Sequence, residues 1–388
     1  MLPSLDADLQ IDLAALEQQR QTRSCPAISG SSRTAPSIDG QSLISFSSND
    51  YLGLASHPTL ATAATDAIAR SGLGAGAARL VSGDLPEHRD LEAALAAFLN
   101  VESVLLFSSG YHTNLGVIGA LAGPGDLLLC DHANHASIID ACQLSRARTS
   151  YYRHLDLESA EKRLHTLAPP ARRKIIVTES LFSMDGDVAP LADLAALARK
   201  YKAALVVDEA HAIGALGPDG RGLCHRANVS PDVLIGTLGK AFGAAGGFAA
   251  GTATLRKYLV NHSRTFIFTT APPPPIAAAA LAALQIIRGP DGHARRNALA
   301  ARILQLQSLF PSAPPTSPPS PILPIILGSN TAALLASNAL RASGFFVQPI
   351  RPPTVPDNTA RLRITLSATH KPEHIVALAN ALATTIPR

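Results

Sequence analysis

The sequence predicts an α/β fold in which helices flank a mostly parallel central sheet. From Thr59 onward, helical patterns alternate with short, continuously apolar runs, and this alternation is typical of a parallel sheet covered by helices on both faces. Polar clusters follow the apolar runs, at the strand ends beyond which ligands bind in such sheets. Five strands are predicted on this basis, at residues 104–107, 126–130, 174–178, 204–207 and 233–236.

The two ends of the chain depart from this pattern. Residues 1–45 are predicted to form an N-terminal arm, with a helical stretch at 11–21 and a link rich in Ser, Thr, Pro and Gly. Residues 46–275 are the predicted large α/β domain. Four prolines at 272–275 open a helix, so residues 276–388 are predicted to be a small α+β domain. Within it we expect a stiff connector at 310–321, a strand at 324–327, a helix at 331–343, and strands near Phe345 and Leu362.

Composition excludes several classes of protein. The 388 residues carry a formal net charge of only +4, and 4% are aromatic, which disfavours nucleic-acid binding. The longest apolar run, residues 276–287, is shorter than the roughly 20 residues that a membrane span needs. The N-terminal residues do not resemble a secretory signal. The four cysteines lack the spacing of a zinc site or a disulfide framework, so we expect reduced thiols, no metal and a cytoplasmic location.

Lys240 is the most informative single residue. It lies among glycines and small apolar residues in Ile235-Gly-Thr-Leu-Gly-Lys-Ala-Phe-Gly243. A poorly solvated lysine loses its proton more easily, and its neutral amine can form a Schiff base with an aldehyde cofactor. The alternative is a surface lysine in a glycine-rich turn.

Asp208 and His211 lie in Asp208-Glu-Ala-His211, directly after a predicted buried strand. A carboxylate there needs a cationic partner, and a pyridinium nitrogen held protonated by it becomes an electron sink. The alternative is a helix N-cap with a structural histidine. The same four residues are the Mg-ATP signature of DEAH-box helicases, but no G-x-x-x-x-G-K-[ST] phosphate loop precedes them, so we reject a helicase.

Three other groups could bind a ligand. Ser109-Gly-Tyr111 lies between a predicted strand and a helix, where backbone amides can bind phosphate; it could equally be an ordinary turn. His135 could stack on an aromatic cofactor or simply be exposed. Arg361 and Arg363 alternate along a predicted strand and share a face. One of them could clamp a carboxylate, or both could be solvated edge residues.

Taken together, these residues resemble the α-oxoamine synthases, which use pyridoxal 5'-phosphate (PLP) and have the aspartate aminotransferase fold, PLP fold type I. The likeness spans nearly the whole chain. Its landmarks occur in the family's order: Ser48-Asn-Asp-Tyr-Leu-Gly-Leu54, Ser109-Gly-Tyr111, His135-Ala-Ser137, Glu179-Ser-Leu-Phe-Ser-Met-Asp-Gly-Asp187, Asp208-Glu-Ala-His211 and Thr237-Leu-Gly-Lys-Ala-Phe-Gly243.

The resemblance implies specific cofactor roles. Lys240 would hold PLP covalently, Asp208 would pair with the pyridinium, His211 would bond the phenolic oxygen and His135 would stack on the ring. The family is dimeric with shared active sites, so one phosphate ligand would come from the partner subunit. The phosphate and its surroundings would be contacted by Gly110, Tyr111, Ser183 and Thr237 of one subunit and by Thr270 of the other.

The resemblance also implies substrates. The segment Ile350-Arg-Pro-Pro-Thr-Val-Pro356 is most similar to members that condense L-alanine with a pimeloyl thioester, of either CoA or acyl-carrier protein. Asn49 and Arg363 would hold the alanine carboxylate, and Thr354 would line the acyl pocket. An arginine near the N-terminus would contact the acyl substrate; Arg20 and Arg23 compete, with Arg23 preferred. Alternatives are members that join glycine to acetyl-CoA and, more remotely, a non-catalytic protein of this fold.

Overall fold

The computed structural model describes residues 4–168, 170–311 and 319–386. The chain forms two compact units. The larger comprises Asp50–Ser183 and Asp187–Ala298, and the smaller comprises Met1–Asn49, Met184–Gly186 and Leu299–Arg388 as far as these are described. The predicted domain boundaries after residues 45 and 275 stay predictions.

Helices and strands alternate along most of the described chain. The helices are α1 (Leu5–Gln18), α2 (Pro58–Ser71), α3 (Pro86–Leu99), α4 (Gly110–Leu121), α5 (Ala136–Ser145), α6 (Leu157–Leu167), α7 (Leu191–Tyr201), α8 (Leu223–Arg226), α9 (Ala253–His262), α10 (Arg264–Ile267), α11 (Pro274–Arg288), α12 (Pro290–Leu309), α13 (Asn330–Ala342) and α14 (Pro372–Thr385). The strands are β1 (Ile28–Ser29), β2 (Ser37–Ile38), β3 (Gln41–Ser42), β4 (Ile44–Ser45), β5 (Ser103–Phe107), β6 (Leu127–Asp131), β7 (Arg148–Tyr152), β8 (Lys174–Glu179), β9 (Ala204–Asp208), β10 (Val233–Thr237), β11 (Gly247–Gly251), β12 (Ile322–Gly328), β13 (Phe345–Phe346), β14 (Pro349–Ile350) and β15 (Ala360–Thr365).

A seven-stranded sheet forms the centre of the larger unit, in the order β5-β11-β10-β9-β8-β6-β7. The strands from β10 to β7 are parallel, and β11 lies antiparallel between β10 and β5. The predicted mostly parallel sheet and its five predicted strands are therefore confirmed. Of the seven strands in this sheet, β7 and β11 were not predicted.

Apolar strands lie at the centre of the larger unit because helices cover them. Every residue of β6 and β10 is buried, as expected for parallel strands enclosed between helices. Val117 of α4 and Ile138 of α5 belong to one buried cluster with Leu105 and Leu128 of the sheet. This packing holds the carboxyl ends of the strands in place. The polar residues of the candidate site come directly after these strand ends in the chain.

The smaller unit contains the first helix and three short sheets. In the sheet β12-β15-β14, β15 occupies the middle. The predicted strand at 324–327 and helix at 331–343 correspond to β12 and α13. The predicted helix at 11–21 begins earlier, at Leu5, because the Ser4 hydroxyl accepts a hydrogen bond from the Ala7 amide at 3.3 Å and caps it. Residues 312–318 of the predicted connector lie outside the described residues.

None of the helices in the described ranges is both long and apolar enough to cross a membrane. The same ranges contain no group of three or more His, Cys, Asp or Glu side chains arranged to hold a metal ion.

Candidate active site

Lys240 lies in a tightly bonded turn after β10. The Thr237 hydroxyl donates to the Gly246 carbonyl at 3.0 Å and accepts from the Gly239 amide at 3.2 Å. Gly243 has a φ of +65°, and a Cβ there would lie 2.3 Å from the Ala55 amide nitrogen. Only glycine fits such a close backbone approach in this conformation. The glycine-rich sequence around Lys240 therefore fixes the turn that presents the amine.

The Lys240 amine lies beside His211. Its Nζ is 2.8 Å from Nε2 of His211, whose Nδ1 is 2.6 Å from the Tyr51 hydroxyl. His211 is 4% exposed and Tyr51 fully buried. Tyr51 fixes the orientation of the imidazole, a role that the sequence analysis did not assign, although this tyrosine lies within the landmark Ser48-Asn-Asp-Tyr-Leu-Gly-Leu54.

Asp208 is buried at the end of β9. One carboxylate oxygen accepts from the Asn114 side-chain amide at 2.7 Å, and the other accepts from the Ala210 backbone amide at 2.8 Å. Both donors are neutral, and among the described residues Asp208 forms no ion pair with a lysine, arginine or histidine. A buried carboxylate in this environment favours a cationic ligand, so Asp208 fits the ring nitrogen of a protonated pyridine.

Glu179 adds a second buried acid beside Asp208. Burial, and then the charge of Asp208, raises the pKa of Glu179 to about 8, although Lys240 acts in the opposite direction. One Glu179 oxygen accepts from the His135 backbone amide at 2.5 Å. The raised pKa of Glu179 marks a place where a cation would be stabilised. Glu179 is the first residue of the landmark that ends at Asp187, but no role was predicted for it.

His135 is the N-cap of α5 and is joined to Asp208 by hydrogen bonds. Its Nδ1 accepts from the Ser137 amide at 3.2 Å and lies 2.8 Å from the Ser137 hydroxyl, which in turn accepts from Asn114 at 2.9 Å. Nδ1 is thus an acceptor. Desolvation lowers the pKa of His135, with Lys240 acting in the same direction and Asp208 opposing both. The exposed, uncharged ring fits stacking on a flat cofactor.

The residues of the predicted phosphate cradle lie where α4 begins beside β10. Ser109 caps α4 by accepting from the His112 amide at 3.1 Å, and Gly110 and Tyr111 supply amides of the first turn, which have no intrahelical acceptor. A Cβ on Gly110 would lie 3.4 Å from the Thr237 Cβ. The structure therefore brings Gly110 and Thr237 together. The Tyr111 side chain is exposed and donates to Asp140.

Two further predicted cofactor residues lie in the larger unit. Ser183 is buried in the segment after β8. Thr270 is exposed, and within the described residues no hydrogen bond joins it to another predicted site residue. That isolation is compatible with the prediction, because Thr270 is expected to serve the partner subunit's site.

The smaller unit holds the predicted amino-acid ligands. Arg363 donates to the Asn49 side-chain oxygen at 3.1 Å and to the Thr365 hydroxyl at 3.0 Å, whereas Arg361 pairs with Asp185. Both arginines are buried, 4% and 7% exposed for Arg361 and Arg363. The alternative of solvated edge residues is wrong, because β15 lies between two other strands.

The predicted acyl ligands meet at one turn of the smaller unit. Arg23 donates to the Pro352 carbonyl at 3.2 Å, and the Thr354 amide donates to the Arg351 carbonyl at 3.1 Å. The Arg20 carbonyl accepts from Arg351, and no hydrogen bond joins the Arg20 side chain to the Thr354 turn within the described ranges. Desolvation and the nearby Arg23 charge lower the pKa of Arg351. Of the two competing arginines, Arg23 is therefore the one whose side chain reaches the Thr354 turn.

Comparison with known proteins places the chain in a family. The model of aminotransferase class I and II matches residues 41–382. An 8-amino-7-oxononanoate synthase of Anaeromyxobacter sp. (strain K) is 48% identical over 97% of this chain and 94% of that protein. A serine palmitoyltransferase of S. paucimobilis, solved with a bound PLP-myriocin adduct, has a TM-score of 0.92 at 30% identity over 99% of this chain and 98% of that chain. An 8-amino-7-oxononanoate synthase of Francisella tularensis has a TM-score of 0.75 at 29% identity over 88% of this chain and 96% of that chain. The chain belongs to the aminotransferase class I and II family and, within it, to the PLP-dependent α-oxoamine synthases.

Proposed function

We propose that this PLP-dependent acyltransferase condenses L-alanine with a pimeloyl thioester, releasing carbon dioxide and the free thiol and forming 8-amino-7-oxononanoate for biotin synthesis. An amino acid and an acyl thioester are the substrates of the family, and the near full-length identity to a synthase of that name supports these two in particular. The observation that carries the chemistry is the placement of the Lys240 amine 2.8 Å from His211, in the same unit as the buried Asp208 carboxylate.

Lys240 is the central residue of the proposed reaction. Bound PLP supplies an electron sink that lets an amino acid lose its Cα proton. Lys240 would hold the cofactor covalently through Nζ, and its amine would act as the general base that takes up the Cα proton. His211, oriented by Tyr51, lies within hydrogen-bond reach of Nζ and would bond the phenolic oxygen of the cofactor.

The other cofactor residues hold PLP in place. The Asp208 carboxylate, fixed by Asn114, would keep the pyridine nitrogen protonated, and His135 would stack on the ring. The negative phosphate would be bound by the start of α4, where helix dipole and free amides favour an anion. Its ligands would be Gly110, Tyr111, Ser183 and Thr237, with Thr270 of the partner subunit.

Arginines bind the carboxylates of the substrates in this proposal. Arg363 and Asn49 hold the alanine carboxylate, because a buried guanidinium can bind it through two parallel hydrogen bonds. Arg23 and Thr354, which meet at the same turn, contact the acyl substrate.

We further propose a homodimer. Leu80, Val81 and Phe268 are 51%, 79% and 70% exposed, and their segments are joined by a 3.0 Å hydrogen bond from the Ala271 amide to the Ala77 carbonyl. Exposed large apolar side chains are typical of a subunit interface, and Thr270 lies between Phe268 and Ala271 in the same segment. Sedimentation should give twice the monomer mass, and Phe268→Asp should shift the chain toward monomer.

We also propose a cytoplasmic location. All four cysteines are free thiols, which is usual in a reducing compartment. Cell fractionation would test this, and recovery of the protein outside the cytoplasmic fraction would contradict it.

The experiment that tests the function is incubation of the purified holoenzyme with paired substrates. We expect 8-amino-7-oxononanoate, detected by mass spectrometry, from L-alanine with pimeloyl-CoA or pimeloyl-acyl-carrier protein. Glycine with acetyl-CoA serves as the matched control, and we expect little product from it. Product from the control pair alone would assign another family reaction, and product from neither donor class would contradict catalysis.

A further inference from the structure

His154 is not one of the residues proposed to contact PLP or a substrate. It follows β7 in the larger unit, and its ring packs edge-on against Phe182 with the ring centroids 4.5 Å apart. Phe182 is 1% exposed and immediately precedes Ser183. His154 is thus packed against the segment that delivers one of the proposed PLP ligands.

Both ring nitrogens of His154 face carboxylates. Nδ1 lies 2.8 Å from Asp131 and Nε2 lies 2.9 Å from Asp187. A neutral imidazole has only one N–H to donate, so satisfying two carboxylates requires the imidazolium. Desolvation acts to lower the pKa of His154, but the hydrogen bonds to Asp131 and Asp187 outweigh it and raise the pKa to about 10. The ring is therefore charged at neutral pH.

Asp131 connects this imidazolium to the turn that ends in His135. Its side chain also accepts from the Ala133 amide at 2.8 Å and from the Leu155 amide at 3.0 Å. Within the turn, Asn134 donates to the Val177 carbonyl at 2.9 Å, and His135 follows directly. The position of the His135 ring thus depends on a turn whose first residue is bonded to His154.

Asp187 connects the same imidazolium to the Ser183 loop. The Phe182 amide donates to the Asp187 carbonyl at 3.0 Å, and the Ala189 amide donates to the Ser180 carbonyl at 3.1 Å. These bonds close the loop that contains Ser183. The second oxygen of Asp187 is buried without a hydrogen-bond partner, so His154 is the principal partner of this carboxylate.

We propose that His154 is a positioning residue that joins the His135 turn to the Ser183 loop through Asp131 and Asp187, and so holds two sides of the PLP site together. The inference rests on the proposed cofactor roles of His135 and Ser183. Neither Asp131 nor His154 needs to touch PLP for this role, since each acts through a neighbouring residue.

The test is the rate at which PLP leaves the holoenzyme. We expect His154→Gln to release PLP about tenfold faster than the parent chain, within the range of coupling between sites in proteins. His165→Gln, an exposed histidine on α6, is the matched control and should release PLP at the parent rate. The double variant His154→Gln with Asp187→Asn removes the Asp187 charge that His154→Gln leaves without its partner. It should release PLP more slowly than His154→Gln alone.

Asp187→Asn alone keeps the bond between His154 and Asp131, so it tests the loop connection if His154→Gln does not fold. It too should release PLP faster. A lower melting temperature with an unchanged PLP release rate, in either variant, would show a purely structural role and overturn the proposal. Release of PLP does not depend on the substrates, so failure of the parent enzyme to use L-alanine and pimeloyl thioesters would reject the proposed function separately.

Discussion

Replacing Gly247 with alanine tests whether a missing side chain shapes the phosphate cradle. Gly247 begins β11 and pairs with Thr237 on one side and Phe107 on the other. It therefore lies between the two strand ends that lead to Lys240 and to Gly110. A Cβ at this position would lie 2.5 Å from the Thr113 hydroxyl and 2.7 Å from the Gly110 amide nitrogen.

The size of the effect follows from these distances. Ordinary contact begins near 3.4 Å, so the Gly110 backbone would have to move by about 0.7 Å. Overpacking of this kind costs about 1–3 kcal/mol of folding stability. The same movement would misplace a phosphate-binding amide. Loss of one charge-assisted hydrogen bond, worth about 1.5–3 kcal/mol, would weaken PLP binding by roughly 10- to 150-fold.

Thermal unfolding and PLP titration of the cofactor-free protein would measure both effects. Gly119→Ala is the matched control, because Gly119 is exposed in α4 and, apart from its chain neighbours and the adjoining backbone of α4, no described atom lies within 4 Å of its added Cβ. That substitution should stabilise the protein by about 0.5–1 kcal/mol and leave PLP affinity unchanged. Gly247→Ala binding PLP as tightly as the parent would refute the reasoning.

Two further predictions concern charge. In the cofactor-free protein the pKa of Glu179 is about 8, above its ordinary value of 4.5. Because the unfolded state loses this proton at lower pH than the folded state, the free energy of unfolding should fall as the pH rises between these two values. In urea unfolding Glu179→Gln should flatten that decline, and an unchanged dependence of stability on pH would contradict the raised pKa of Glu179. Arg363→Lys should raise the KM for L-alanine about tenfold or more, because lysine cannot bind a carboxylate bidentately, with little change for the thioester. Arg361 pairs with Asp185, so Arg361→Lys should lower the melting temperature without raising the KM for L-alanine selectively.

The central strands and their polar ends could be predicted because their sequences are simple. Continuous apolar runs become β6, β9 and β10, and parallel strands place their carboxyl ends at one edge of the sheet. Asp208, His211 and Lys240 all lie in the larger unit and close to these ends. The apolar runs and the polar residues after them are therefore enough to predict where Asp208, His211 and Lys240 lie.

The two strands of the central sheet that were not predicted, β7 and β11, lack this pattern. Gly247-Phe-Ala-Ala-Gly251 has small residues in place of β-branched ones, because its neighbours approach closely: a Cβ on Gly247 would contact Gly110. Arg148-Thr-Ser-Tyr-Tyr152 is polar and lies at the edge of the sheet. Propensity is weak evidence of a strand where packing decides the residue.

Contacts between distant residues could not be read from the sequence. Tyr51 meets His211 across 160 positions, and Asn114 meets Asp208 across 94. His154 follows an edge strand without any motif, and only the fold brings both Asp131 and Asp187 to its ring. The reacting groups could be predicted from residue types and motifs. The side chains that orient them could not, because they come from distant parts of the chain and meet only in the tertiary structure.

Reduction of the holoenzyme with borohydride, followed by peptide mapping, tests the central claim most directly. Borohydride makes a lysine–PLP bond permanent, so the modified peptide identifies the lysine that holds the cofactor. We predict that the added mass is found only on the peptide containing Lys240, and that Lys240→Ala carries no label and has no turnover. Label on another lysine, or normal turnover by Lys240→Ala, would contradict the account.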